Sequence, residues 1–155
     1  MARMLQTLFS MRGKVCVVTG GSRGLGHHIA QAFLEAGALR VYITARKAEA
    51  CDAAARALSQ YGECIALPGD VGTTPGISAL AQALEAREAH LDVLVNNAGA
   101  AWGAPFDEFP ESGWDKVMDL NAKAPFFLMQ ALAPLLKKNA RAESTAAIIN
   151  IGSIA

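Results

Sequence analysis

The residues able to do chemistry fall in a few short clusters. The first is a glycine-rich stretch, TGGSRGLG, at Thr19 to Gly26. Four of its eight residues are Gly, and the apolar run Val15-Cys16-Val17-Val18 leads straight into it. A strand that enters a helix through such a loop presents backbone N–H groups with no intrahelical partner. The helix dipole favours an anion there. Glycine lets the chain turn sharply and lets a diphosphate approach with no Cβ in the way. The spacing Gly20-x-x-x-Gly24-x-Gly26 differs from the G-x-G-x-x-G form. Glycine clusters also serve close packing of helix on sheet. Position decides between the two: this loop follows the first strand-like run and precedes the first helical pattern, which favours a dinucleotide.

The second cluster is ITARK, Ile43 to Lys47. An Asp or Glu at the end of a second strand would accept from a ribose 2′-hydroxyl. Arg46 and Lys47 stand there instead, with Arg23 in the glycine loop. A guanidinium pairs well with a dianionic phosphate, so these cations predict NADPH rather than NADH. The plainer reading makes Arg46 and Lys47 solvated charges at a helix start, where a cation is slightly unfavourable. Asp70, after Gly69, either caps a turn or accepts from a ligand. Asn96 and Asn97 can tie a strand end to neighbouring backbone. Asn121 lies in a helical pattern although asparagine is a poor helix former, which predicts a special role. Trp102, Phe106 and Phe109 either border a pocket or pack their loop down. No metal site is expected: His27 and His28 point to different faces of a helix, and no carboxylate or thiol cluster accompanies them.

The elements that must position these groups alternate along the chain. Strand-like runs at 14–19, 41–44, 64–67, 91–95 and 147–151 are separated by helical patterns at 24–36, 48–61, about 74–84 and 112–138. Leu25, Ile29 and Phe33 fall four apart on one helical face. Thr74 is a candidate N-cap with Pro75 in the first helical position, and the long last helix is expected to bend near Pro125. Near-continuous apolar strands between helices imply a parallel sheet covered on both faces. The fold class is therefore α/β, a Rossmann-type doubly wound sheet with strand order 3-2-1-4-5. Residues 1–155 form one domain in this reading, with 1–12 an irregular lead-in.

Composition narrows the function classes. The chain is 52% hydrophobic and 18% charged, and its 14 basic side chains balance 14 acidic ones. That neutrality gives no reason to expect nucleic acid or an anionic membrane as partner. No run is apolar and long enough to cross a bilayer. Three scattered cysteines, Cys16, Cys51 and Cys64, fit reduced thiols in a cytoplasmic protein.

Together with TGGSRGLG, four further motifs resemble the short-chain dehydrogenase/reductase family: GDV at Gly69 to Val71, LVNNAG at Leu94 to Gly99, DLNA at Asp119 to Ala122 and INIGS at Ile149 to Ser153. They stand in the family's order along essentially the whole chain. Within the family, GSRGLG, NNAGAAWGA and GWDKVMDLN look most like 3-oxoacyl-acyl-carrier-protein reductases. The resemblance implies that Gly20, Ser22, Arg23, Gly24, Leu25 and Gly26 wrap the diphosphate and ribose and that Arg46 meets a 2′-phosphate. It implies that Asp70 and Val71 flank the adenine and that Asn97, Ala98 and Gly99 line the cofactor beyond the fourth strand. Asn121 would match the catalytic asparagine that holds a water in the proton relay, and Ser153 the serine that hydrogen-bonds the substrate carbonyl. It further implies NADPH-dependent reduction of a ketone, most nearly a 3-oxoacyl thioester of the fatty-acid or rhamnolipid precursor type. The partners implied are a small acyl or ketone substrate and a homo-oligomer.

One departure from the family stands out. Its proton donor is a tyrosine in a Tyr-x-x-x-Lys pair about a dozen residues after the serine, and only two residues follow Ser153 here. Tyr42 and Tyr61 do not fit that role. The sequence is therefore expected to be part of a longer protein and, by itself, not to turn over. The alternatives are a natural short dinucleotide-binding module and a family member acting on a sugar, steroid or polyol.

Overall fold

The computed structural model describes residues 9–141 and 145–153, so most of the lead-in lies outside the described residues. Five parallel strands form one sheet: β1 (Val15–Thr19), β2 (Arg40–Thr44), β3 (Cys64–Ala66), β4 (Val93–Asn96) and β5 (Ala147–Asn150), in the order β3-β2-β1-β4-β5. This is the doubly wound topology expected from the alternation of elements. In register, Val17 of β1 lies between Tyr42 of β2 and Leu94 of β4.

Side chains on successive strand residues point to opposite faces, and both faces of the inner strands are covered. Val15, Val17, Tyr42 and Leu94 pack with residues of α3 (Thr74–Glu85) and α5 (Ala124–Lys138). Cys16, Val18, Val41, Ile43, Val93 and Val95 pack with α1 (Gly24–Glu35) and α2 (Ala48–Leu58). Two cores back to back explain why these strands are apolar at every position rather than at alternate ones. β5 differs: Ile148 and Ile149 are 44% and 41% exposed, so both of its faces are only partly covered.

Two local expectations need correction, and a third is refined. The buried face of α1 is Gly26, Ala30 and Leu34, not Leu25, Ile29 and Phe33. Small residues at 26 and 30 let the helix axis approach the sheet, so the larger side chains flank the contact and Leu25 faces outward. The N-cap of α3 is Thr73, whose Oγ1 accepts from Gly76 N–H at 3.2 Å, which leaves Pro75 in the second helical position. The long C-terminal helix is three pieces: α4 (Glu111–Met118), a π-helical turn (Asp119–Lys123) and α5. The irregularity covers Asp119–Lys123, directly before Pro125, which lacks the N–H that would bond a carbonyl of that turn, so the departure from a regular helix falls near the proline as expected, as a π turn. Pro134 is the proline inside α5.

Candidate functional site

The direction of sheet winding reverses between β1 and β4, because β2 and β3 lie on one side of β1 and β4 and β5 on the other. Loops leaving the carboxyl ends of strands on either side of such a point diverge and leave a crevice. The glycine loop leaves β1 here, and Asn97-Ala98-Gly99 leaves β4. Thr19 joins them. Its Oγ1 accepts from the N–H groups of Asn97 at 3.0 Å and Ala98 at 2.9 Å and donates to Val95 O at 3.3 Å. The Asn97 side chain returns the contact, donating through Nδ2 to Thr19 O at 2.8 Å and Gly20 O at 3.3 Å.

The glycines of the loop have different reasons to be glycine. Gly20 (φ 68°) and Gly24 (φ 59°) adopt the left-handed conformation that a Cβ penalises. A Cβ on Gly21 would meet Ile43 at 2.7 Å, and one on Gly26 would lie 2.4 Å from both Asn97 Nδ2 and Gly20 O. Arg23 is the N-cap of α1 and supplies no side-chain cap, and the first turn carries no acidic residue. The helix therefore opens on the crevice with its N–H groups unsatisfied by its own side chains.

The crevice has a volume of about 960 Å³. Gly20, Ser22, Arg23 and Gly24 line one wall, and Arg46 and Lys47, after β2, line another. Asp70 and Val71 lie beyond β3, and Asn97, Ala98 and Gly99 beyond β4. The structure thus brings together ten of the residues expected to contact a nucleotide. Leu25 and Gly26 do not line it: Leu25 is exposed, and Gly26 is buried behind the loop. Asp70 also caps its own turn, with Oδ1 accepting from Gly72 N–H at 3.0 Å. Thr19 and Gly21 shape this site and were not singled out in the sequence. The doubled glycine was a usable signal for Gly21, but nothing local marks a strand-end threonine as the anchor of a loop far along the chain.

A second cavity, of about 1220 Å³, shares Ala98 and Gly99 with the first and holds both Asn121 and Ser153. Asn121 is fixed to the loop after β4: its Oδ1 accepts from Ala100 N–H and its Nδ2 donates to Ala100 O, both at 2.8 Å. This two-way clasp accounts for an asparagine inside a helical run, because the widened π turn presents the amide to the loop. Trp102 and Phe109 line this cavity, whereas Phe106 is 99% exposed and does not.

The remaining reactive side chains are ordinary core. Burial pushes the Cys16 and Cys64 thiols up to about 12, so neither supplies a thiolate nucleophile. Burial, then the hydrogen bond from its hydroxyl to Glu88 Oε1 at 2.6 Å, pushes Tyr42 up to about 12. Neither Tyr42 nor Tyr61 lines either cavity. Among the described residues, no helix is long and apolar enough to cross a membrane, and no group of His, Cys, Asp and Glu could hold a metal ion.

Comparison with known proteins agrees with this geometry. The short chain dehydrogenase family matches residues 14–155. The rhamnolipids biosynthesis 3-oxoacyl-acyl-carrier-protein reductase of Pseudomonas aeruginosa is 54% identical over 147 residues, which are 95% of this chain and 57% of that protein. The 2-dehydro-3-deoxy-D-gluconate 5-dehydrogenase of Escherichia coli is 38% identical over 130 residues, 84% of this chain and 51% of that protein. The solved Pseudomonas aeruginosa RhlG/NADP active-site complex superposes with a TM-score of 0.91 at 54% identity, covering 94% of this chain and 56% of that one. The chain spans just over half the length of the curated relatives it matches. With the family's pattern running through the glycine loop, the strand ends and the clasped asparagine, the chain belongs to the short chain dehydrogenase family.

Proposed function

We propose that the whole protein reduces a ketone to a secondary alcohol with NADPH, and that the ketone is a 3-oxoacyl thioester. The observation that carries the cofactor half is the charge of the first crevice. Arg23, Arg46 and Lys47 converge on it, and Asp70 is its one carboxylate among the described lining residues, placed after β3 rather than after β2. Gly20, Gly24 and the open start of α1 suit a diphosphate, and the cations after β2 suit a phosphorylated ribose. The residues present thus fit the dinucleotide held by the related RhlG/NADP complex. The Pseudomonas reductase at 54% identity supports the 3-oxoacyl half. The E. coli sugar-acid dehydrogenase supports only the broader oxidoreductase class.

In this reading NADPH, when bound, supplies the hydride. Ser153 donates a hydrogen bond to the ketone oxygen as negative charge develops there. The Asn121 amide is committed at both ends to Ala100. Its part in the structure is to hold the loop after β4 at Ala100. The proton comes from neither Tyr42 nor Tyr61, and neither is followed four residues on by lysine. It would come from the family's Tyr-x-x-x-Lys pair, which does not occur among the 155 residues. The same reading includes a homo-oligomer, to which the exposed Phe127 of α5, outside both cavities, could contribute.

Calorimetric titration of the chain with NADPH and NADH tests the cofactor. NADPH should bind at least tenfold more tightly. Arg46→Asp should remove that preference by weakening NADPH alone, a loss of about 1.4 kcal/mol or more. Equal binding of the two nucleotides by the unmodified chain, or an unchanged preference in the variant, would overturn the assignment.

A further inference from the structure

Main-chain hydrogen bonds hold the ends of β2 and β3 together where the two strands open onto the first crevice. Leu67 N–H donates to Ile43 O at 2.9 Å and Gly69 N–H to Ala45 O at 3.0 Å. A side chain joins the strands at the same place. Cys51, in the first turn of α2, donates through Sγ to Ile43 O at 3.4 Å, so that carbonyl accepts from both Leu67 and Cys51. The N–H groups of Ala45 and Leu67 also reach the sulfur. Burial raises the thiol above its ordinary value, and hydrogen bonds from those two main-chain groups pull against that rise.

The loops leaving these strand ends are walls of the crevice. Ala45, Arg46 and Lys47 line it after β2, Asp70 and Val71 after β3, and Ala50 lines it beside Cys51. Cys51 itself is 0% exposed and lines neither cavity, so it reaches a nucleotide only through these walls. The other buried residues of α2, Ala54, Ala55 and Leu58, carry no side-chain group that hydrogen-bonds. Packing of α2 on the sheet therefore does not call for a thiol. The sulfur instead meets main-chain groups of Ile43 and Ala45, just before Arg46, and of Leu67 across from them.

We propose that Cys51 is a positioning residue for the nucleotide. Its thiol holds the main chain at Ile43 and Ala45 against Leu67, and so sets the place from which Arg46 meets a 2′-phosphate. This rests on the reading of the crevice as an NADPH site. Alanine would fill much of the same space but could neither donate to Ile43 O nor accept from the Ala45 and Leu67 N–H groups. Arg46 would then meet the phosphate from a looser loop, with more motion to lose on binding.

Cys51→Ala and Cys51→Ser test it, because alanine and serine are nearly equal in size and serine keeps a donor and an acceptor. Both variants and the parent are titrated calorimetrically with adenosine 2′,5′-bisphosphate, which carries the adenine and the 2′-phosphate without the nicotinamide half. Conditions are chosen where circular dichroism shows each protein fully folded, so that global stability does not enter the affinity. Cys51→Ala should weaken binding about two- to tenfold, the range for one net hydrogen bond, and Cys51→Ser should recover most of it. In an Arg46→Ala background the same Cys51→Ala change should cost less than about twofold, since the group it positions is gone. Equal affinity of the alanine variant and the parent, no recovery with serine, or additive losses in the double variant would overturn the proposal. Failure of the parent chain to bind the bisphosphate would instead overturn the NADPH reading on which it rests.

Discussion

At the scale of single residues, Thr19 carries more of the site than its sequence context suggests. It is 1% exposed, and its hydroxyl uses its one donor and both lone pairs within the joint between β1 and β4. Valine has nearly the same shape but cannot accept. Thr19→Val should leave the Asn97 and Ala98 N–H groups without partners and cost about 2–4 kcal/mol of stability. Serine at the same position should recover most of it. Urea unfolding of the three proteins measures both values, and a valine variant as stable as the parent would remove Thr19 from this role. The glycine loop was legible in the sequence because glycine announces itself. Thr19 was not, because a β-branched residue at a strand end is what strand propensity alone would supply.

At the scale of elements, the contact of α1 with the loop sets the shape of the crevice. Gly24 and Gly26 are two residues apart and fail differently on substitution. A Cβ on Gly24 meets nothing within 4 Å, so Gly24→Ala carries only the penalty of its positive φ, about 1–2 kcal/mol. A Cβ on Gly26 would fall 2.4 Å from Gly20 O and Asn97 Nδ2, which cannot both retreat without opening the joint. Gly26→Ala should therefore cost about 3 kcal/mol, at the upper end for overpacking, and should also weaken nucleotide binding as α1 lifts. Denaturant unfolding and nucleotide titration of the two variants check the contrast, and equal losses would refute it. The π turn teaches a related lesson. Asparagine at 121 announced an exception to the helix, but the partner that makes the exception worthwhile, Ala100, is reached only through the fold.

At the scale of the whole molecule, covering both faces of the inner strands puts thiols and a phenol where charge is costly. Cys16 is 0% exposed and Cys64 8%, and both hold their protons up to about pH 12 in the folded chain. In the unfolded chain they ionise near their ordinary value of about 9. The folded state thus binds these protons more tightly. The stability this confers is complete below pH 9 and is lost as pH rises toward 12. Each thiol contributes up to about 1.4 kcal/mol per pH unit, so the pair should impose a fall approaching roughly 3 kcal/mol per unit by pH 10. Tyr42 adds to it only above its ordinary value of 10. Unfolding measured between pH 8 and pH 10 should show this slope, to which Cys51 adds because burial raises its thiol as well. Replacing Cys16, Cys51 and Cys64 together by alanine should abolish most of it, and a slope that survives the triple substitution would assign alkaline sensitivity elsewhere.

The sequence by itself determined the layered architecture and the location of the crevice. Strand runs apolar at every position require cover on both faces, alternation with helices requires parallel winding, and the first glycine loop must then lie where the winding reverses. It also determined the sign of the charge around that crevice, since Arg23, Arg46 and Lys47 sit at fixed offsets from strand ends. Only the tertiary structure decided that α1 buries Gly26 and Ala30 rather than Leu25 and Ile29. Periodicity identifies a face, but the distance of closest approach depends on what the opposing loop leaves open. Only the tertiary structure joined Thr19 to Asn97 and Asn121 to Ala100. Each pair is distant in sequence, and each depends on hydrogen-bond directions that exist only once the strands are in register.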